Sequence, residues 1–174
     1  MRNVVLFIAM SLDGFIAAPD GGVDWLTGQD SAAETADSYG AFVPTIDTVL
    51  MGWNTYHQVV TELSPGQWPY EGLDCYVFTH RQASPVPGVR FVSCDPCALV
   101  DRLKARPGRD IWICGGAQLI RQLSDRIDRL QISVIPTLLG QGVRLFPARA
   151  REQKLRLTSV THSNGIVELT YQSR

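Results

Sequence analysis

Hydrophobic residues fall along this chain in two alternating rhythms. Val4 to Met10, Thr48 to Met51, Cys75 to Phe78 and Ile111 to Cys114 are short, nearly unbroken apolar runs, the pattern of strands covered on both faces. Between them, Tyr56 to Leu63, Ala98 to Leu103 and Ala117 to Ile127 place apolar residues three and four positions apart, which predicts helices. Strands alternating with helices predict a mainly parallel α/β sheet. The last third changes rhythm: Leu130 to Ile135, Leu155 to Thr161 and Ile166 to Tyr171 read as strands. Ser163-Asn164-Gly165 joins the last two, and Asn-Gly favours a tight hairpin. An antiparallel edge on a parallel core is therefore expected, with no repeat or linker to mark a second domain in residues 1–174.

Composition narrows the partners. The chain has 174 residues, 45% of them hydrophobic, enough for one domain with a substantial core. Its formal net charge is -1 and its basic residues are dispersed, so neither nucleic acid nor an anionic membrane is expected as a partner. Val4 to Met10 is too short for a secretion signal or a membrane span, which makes the cytoplasm the expected location. Cys94-Asp95-Pro96-Cys97 has the spacing of redox and zinc sites. It lacks a second close pair, and His57, His80 and His162 are isolated, so no metal is expected. Asp95 reads better as a helix cap, with Pro96 in the first helical position.

Candidate chemistry gathers where such sheets bind ligands, beyond the carboxyl ends of the parallel strands. The segments there are Ala9-Met10-Ser11, Met51-Gly52-Trp53-Asn54-Thr55, Phe78-Thr79-His80-Arg81 and Ile113-Cys114-Gly115-Gly116-Ala117-Gln118-Leu119. Two glycine turns leading into helices offer unpaired N–H groups to a phosphate or pyrophosphate. Arg81 adds a fixed positive fork, and Thr55 and Thr79 add hydroxyls. Plain helix capping is the competing account of Asn54 and Thr55.

With these segments in order, the chain resembles the dihydrofolate reductase superfamily, and most closely its branch related to the reductase domain of bacterial riboflavin biosynthesis. The resemblance rests on residues 11–17, 47–52, 113–116 and 136–146, the last being Pro-Thr-Leu-Leu-Gly-Gln-Gly-Val-Arg-Leu-Phe. It implies a three-layer dihydrofolate-reductase-like fold, a homodimer, and NADPH lying across the sheet. Nicotinamide would sit near Ala9 and Ile16, the pyrophosphate between the turns at Gly52 and Gly115, and the adenosine end near Thr79, His80 and Arg81. It also implies a cis peptide between Gly115 and Gly116, and a mobile loop from Gly14 to Trp25 that closes over the nicotinamide. The substrate side would draw on Phe7, Trp25, Phe42 and Ser133.

Two departures from the family pattern bear on function. Trp53 stands after Gly52 where a basic residue is usual, which leaves NADH as an alternative cofactor. Folate enzymes carry a buried acid on the first helix. Here Asp37, on a polar stretch from Ser31 to Phe42, is nearest that place, with Glu34 beside it. If Phe7, Trp25 and Phe42 form a dry wall around it, Asp37 is a proton donor with a raised pKa. Asp13 is a second catalytic candidate, or a brace for the turn at Ser11-Leu12-Asp13-Gly14. The expected activity is hydride transfer from NADPH to a C=N or C=O bond of a pteridine or pyrimidine derivative. The alternative is a nucleotide-binding protein of the same fold without turnover.

Overall fold

The computed structural model describes residues 2–146 and 152–174. Among the described residues, ten strands and four α-helices follow one another. They are β1 (Val4–Ser11), β2 (Phe15–Ala17), α1 (Ser38–Phe42), β3 (Ile46–Gly52), α2 (Trp53–Gln58), β4 (Asp74–Phe78) and β5 (Val89–Val92). Then come α3 (Pro96–Lys104), β6 (Asp110–Gly115), α4 (Ala117–Gln122), β7 (Arg129–Ile135), β8 (Val143–Arg144), β9 (Leu155–Ser163) and β10 (Ile166–Ser173). Eight strands form one sheet in the order β5-β4-β3-β6-β1-β7-β10-β9. The first six are parallel, including β7, which the sequence grouped with the antiparallel edge but which pairs in parallel with β1; β10 and β9 add the expected antiparallel hairpin. β2 and β8 make a separate small pair.

The continuous apolar runs have the cause inferred for them. Along β1, β3 and β6, alternate side chains enter two different cores, since successive Cβ atoms point to opposite faces. Val4, Leu6, Leu50, Ile111 and Ile113 pack with Leu99, Val100 and Leu103 of α3 and Leu119 and Ile120 of α4. Val5, Val49, Met51 and Trp112 pack on the other face with Phe42 of α1 and Tyr56 of α2. Three layers result. Fully burying one such side chain contributes about 1.5–3 kcal/mol, so both layers are held mainly by apolar area.

Helix boundaries depart in two places from the periodic reading and in one from what the resemblance implied. The stretch from Ser31 is not helical until Ser38, because Asp37 caps a helix of only five residues. Val59–Leu63 winds as a π-helix continuing α2, and α4 ends at Gln122, with Ser124–Arg126 as a 3₁₀ turn. Asp95 and Pro96 behave as expected: the Asp95 carboxylate accepts from Ala98 N at 2.9 Å and Pro96 opens α3. The Cys94 to Cys97 spacing is thus the local geometry of a helix start.

Candidate active site

Two of the four helix starts lack a side-chain cap. Asp37 and Asp95 cap α1 and α3, but Gly52 and Gly116 precede α2 and α4 and supply none. These two turns lie side by side because β3 and β6 are neighbours. A β-carbon added to Gly52 would stand 3.7 Å from the Gly116 nitrogen, and one on Gly116 would stand 3.3 Å from Thr55 Oγ1. Gly115 has φ +138°, a conformation that side-chain-bearing residues rarely adopt, and the Gly115–Gly116 peptide is cis as the resemblance implied. The result is a shallow cradle of backbone floored by glycine, with the Thr55 hydroxyl against it.

Arg81 reaches the same rim. Its guanidinium stands 5.5 Å from the centre of the Trp53 ring, while its backbone N–H donates to Thr79 Oγ1 at 3.0 Å. Trp53 also packs near His57 and Phe91, so it forms a flat, half-buried platform carrying a cation. Asn54, His80 and Gln118 are exposed beside it, and Ala117 is partly so. Ile113 and Leu119 are different. Their side chains are buried in the core, leaving only their backbone to the turn. Cys114, just before the paired glycines, lies 3.8 Å from Tyr70 Oη, and burial pushes its thiol up to about 11. It stays protonated at neutral pH.

Asp13 braces the loop. Its carboxylate accepts from Ser11 Oγ at 2.6 Å, from Leu139 N at 3.1 Å and from Gly140 N at 2.7 Å. The Ser11 hydroxyl chiefly, with the two backbone N–H groups, holds the carboxyl at about 2 against the burial that opposes it. An acid so held is ionised at neutral pH and has no proton to give. Two of the four segments that carry the resemblance, 11–17 and 136–146, are joined here, since Leu145 N also donates to Gly14 O and β2 pairs with β8. Ile16 sits in β2 and packs against the core.

The environment expected for Asp37 does not form. Its side chain is exposed and its Oδ1 accepts from Gly40 N at 2.7 Å, so the carboxylate is engaged as a cap rather than facing a dry pocket. Glu34 is exposed as well. Phe7 and Phe42 do stack, with centroids 4.3 Å apart, but Tyr39 and Trp112 complete that cluster in place of Trp25. Trp25 Nε1 instead donates to Gly22 O at 3.2 Å within the loop.

The sequence reading missed an acid on the face of the sheet that carries Ala9 and Ser133. Ala9 on β1 is paired with Ser133 on β7, and Ser133 with Glu168 on β10, so the three share one face of the sheet. That face also carries Phe7. Ser133 Oγ donates to Glu168 Oε1 at 2.8 Å, and both residues are half-buried. Glu168 lies on a strand whose alternation, Val167, Leu169 and Tyr171 against Glu168 and Thr170, showed which residues share a face. Only the register against β7 shows what that face overlooks.

Six parallel strands with an antiparallel hairpin at one edge and helices packed on both faces define a dihydrofolate-reductase-like fold. Comparison with known proteins agrees. The RibD C-terminal domain model matches residues 2–167, and the chain belongs to that family. It is 41% identical over 173 residues to the uncharacterized protein YwjB of Bacillus subtilis (strain 168), covering 98% of this chain and 97% of that one. It superposes with a TM-score of 0.84 and 26% identity on a putative riboflavin biosynthesis protein from Shewanella sp. PV-4, covering 100% of this chain and 99% of the other. A Thermotoga maritima diaminohydroxyphosphoribosylaminopyrimidine deaminase/5-amino-6-(5-phosphoribosylamino)uracil reductase matches in fold, with TM-score 0.72 and 18% identity. That match covers 99% of this chain and 57% of that protein.

Proposed function

We propose that the protein is an NADPH-dependent reductase that passes hydride to a C=N or C=O bond of a small flat heterocycle, a pteridine or pyrimidine derivative. The observation that carries this is the paired uncapped turns at Gly52 and Gly115-Gly116 with Thr55 against them, a site suited to a pyrophosphate. Arg81 over Trp53 supplies the cation and the flat surface that a phosphorylated adenosine needs. The family match supports a reductase in general.

When bound, the cofactor supplies the hydride. The chain's own residues bind and orient: the turns would fix the phosphates, Ala9 would meet the nicotinamide edge, and Phe7 with Phe42 would wall the substrate. Holding donor and acceptor at about 3–3.5 Å can account for several kcal/mol of the barrier without a dedicated acid. The loop joined by Asp13 would exclude water from that contact. A homodimer belongs to the same reading and is checked by sedimentation. The activity is tested by offering pterins and pyrimidinediones to protein with NADPH and following nicotinamide oxidation. Turnover with one of them supports the proposal; none across the panel, with NADPH demonstrably bound, favours binding without turnover.

A further inference from the structure

We infer that Glu168 is the residue that orients the substrate, by accepting two hydrogen bonds from a heterocycle that carries an amino group beside a ring N–H. The inference deepens the reductase reading and rests on it for the location of the nicotinamide.

Position is the first ground. Ala9, Ser133 and Glu168 lie in one row across β1, β7 and β10. Ala9 and Ser133 are each two residues from the carboxyl ends of their strands, and Glu168 is two residues into antiparallel β10, which starts at that same end. The carboxylate therefore opens at the end of the sheet where the glycine turns lie. Two strand spacings, about 10 Å, separate β1 from β10, room for a one- or two-ring heterocycle between a nicotinamide over Ala9 and a hydrogen-bonding group on Glu168.

Chemistry is the second. Ser133 occupies Oε1 of Glu168, which fixes the side chain, while Oε2 has no hydrogen-bonding or ionic partner among the described residues. A half-buried carboxylate so held is an acceptor only. It favours a ligand edge with two adjacent donors and repels an edge that presents a carbonyl oxygen. The aromatic stack of Phe7 on Phe42 adds a flat apolar wall to the same face.

Anchorage is the third. The turn between β9 and β10 is clasped to the loop that precedes α1. Asn164, with φ 49°, accepts from Gln29 N through its carbonyl and from Asp30 N through Oδ1, both at 3.0 Å. Its Nδ2 donates to Asp30 O at 2.9 Å and to Thr35 Oγ1 at 3.0 Å, and Ser163 Oγ accepts from Ala36 N at 3.0 Å. The loop thereby links the helix that carries Tyr39 and Phe42 to the hairpin that bears Glu168.

Pterin and lumazine test this, because they share a two-ring shape and differ in having an amino group or a carbonyl at one position. Calorimetric titration of the whole protein should show pterin bound at least about tenfold more tightly than lumazine. Glu168→Gln, which keeps an oxygen for Ser133 but turns an NH₂ toward the crevice, should erase or invert that preference and leave NADPH affinity within about twofold. Ser133→Ala should weaken pterin and retain part of the preference. Equal binding of the two by the unaltered protein, binding of neither, or a preference that survives in Glu168→Gln overturns the inference. Loss of NADPH binding in the unaltered protein would instead overturn the reductase reading, whatever the pterin result.

Discussion

The two ends of the parallel sheet treat their polar groups in opposite ways. At the amino end they are used on one another. Arg2, 6% exposed, pairs with Asp47, donates to Thr48 Oγ1 at 2.7 Å and to Arg109 O at 2.6 Å. Arg129 pairs with Asp110 at 3.1 Å, and Asp128 takes both Lys104 and the Val4 N–H at 2.7 Å. At the carboxyl end the central helix starts are uncapped, one carboxylate oxygen of Glu168 has no partner among the described residues, and Arg81 rests on a ring. The amino end thus pairs most of these groups, with Arg129 Nε a buried exception, whereas the carboxyl end, Asp13 apart, leaves several available. Stability and binding should separate accordingly.

The largest effect is expected at the amino end. Asp47→Ala leaves the buried Arg2 guanidinium without its carboxylate and should cost about 3 kcal/mol in denaturant unfolding, with NADPH affinity unchanged in the folded protein. A large loss of affinity there would break the division. At the carboxyl end, Gly115→Ala forces a β-carbon onto φ +138° and toward Thr55, and should lower NADPH affinity about tenfold, with a stability cost of about 1–3 kcal/mol.

Asp13 lies between these cases, since it holds a loop through hydrogen bonds. Its folded pKa, about 2, is below the ordinary 3.8, so its contribution is fully present above about pH 4 and is lost as pH falls through about 2. The melting temperature of Asp13→Asn should lie below that of the unaltered protein at neutral pH and converge with it as pH approaches 2. A constant gap across that range would contradict the assignment. The smallest effect is expected for Asp37→Asn. Asparagine caps as well as aspartate, so stability should shift by only a few tenths of a kcal/mol and turnover should be unaltered. A large loss of turnover would restore Asp37 as the proton donor.

Much of this division was legible in the sequence. The apolar runs identified four of the six parallel strands, β1, β3, β4 and β6, Asn164-Gly165 the hairpin, and the glycine pair the turn after β6, because burial on two faces, a positive φ and close backbone approach each demand particular residues; the direction of β7 is set by its pairing with β1, which no local pattern records. Other elements left weaker marks. β5 is a half-exposed edge strand of four residues, and β2 and β8 are three and two residues long, too short for any periodicity. Asp37 was placed in the crevice by analogy of position, and its use as a cap depends on where α1 begins. Glu168 was overlooked for a different reason. Its role comes from Ser133, 35 residues earlier, and only the pairing of β7 with β10 brings the two together.

The central claim is that the uncapped turns and Arg81 form a cofactor crevice. The direct measurement is a titration of the protein with NADPH and, separately, NADH, following tryptophan quenching and energy transfer to the nicotinamide, repeated on Arg81→Ala. The account predicts micromolar binding that favours NADPH, and a loss of about tenfold on removing Arg81 that shrinks as salt is raised. Binding of neither nucleotide would contradict it.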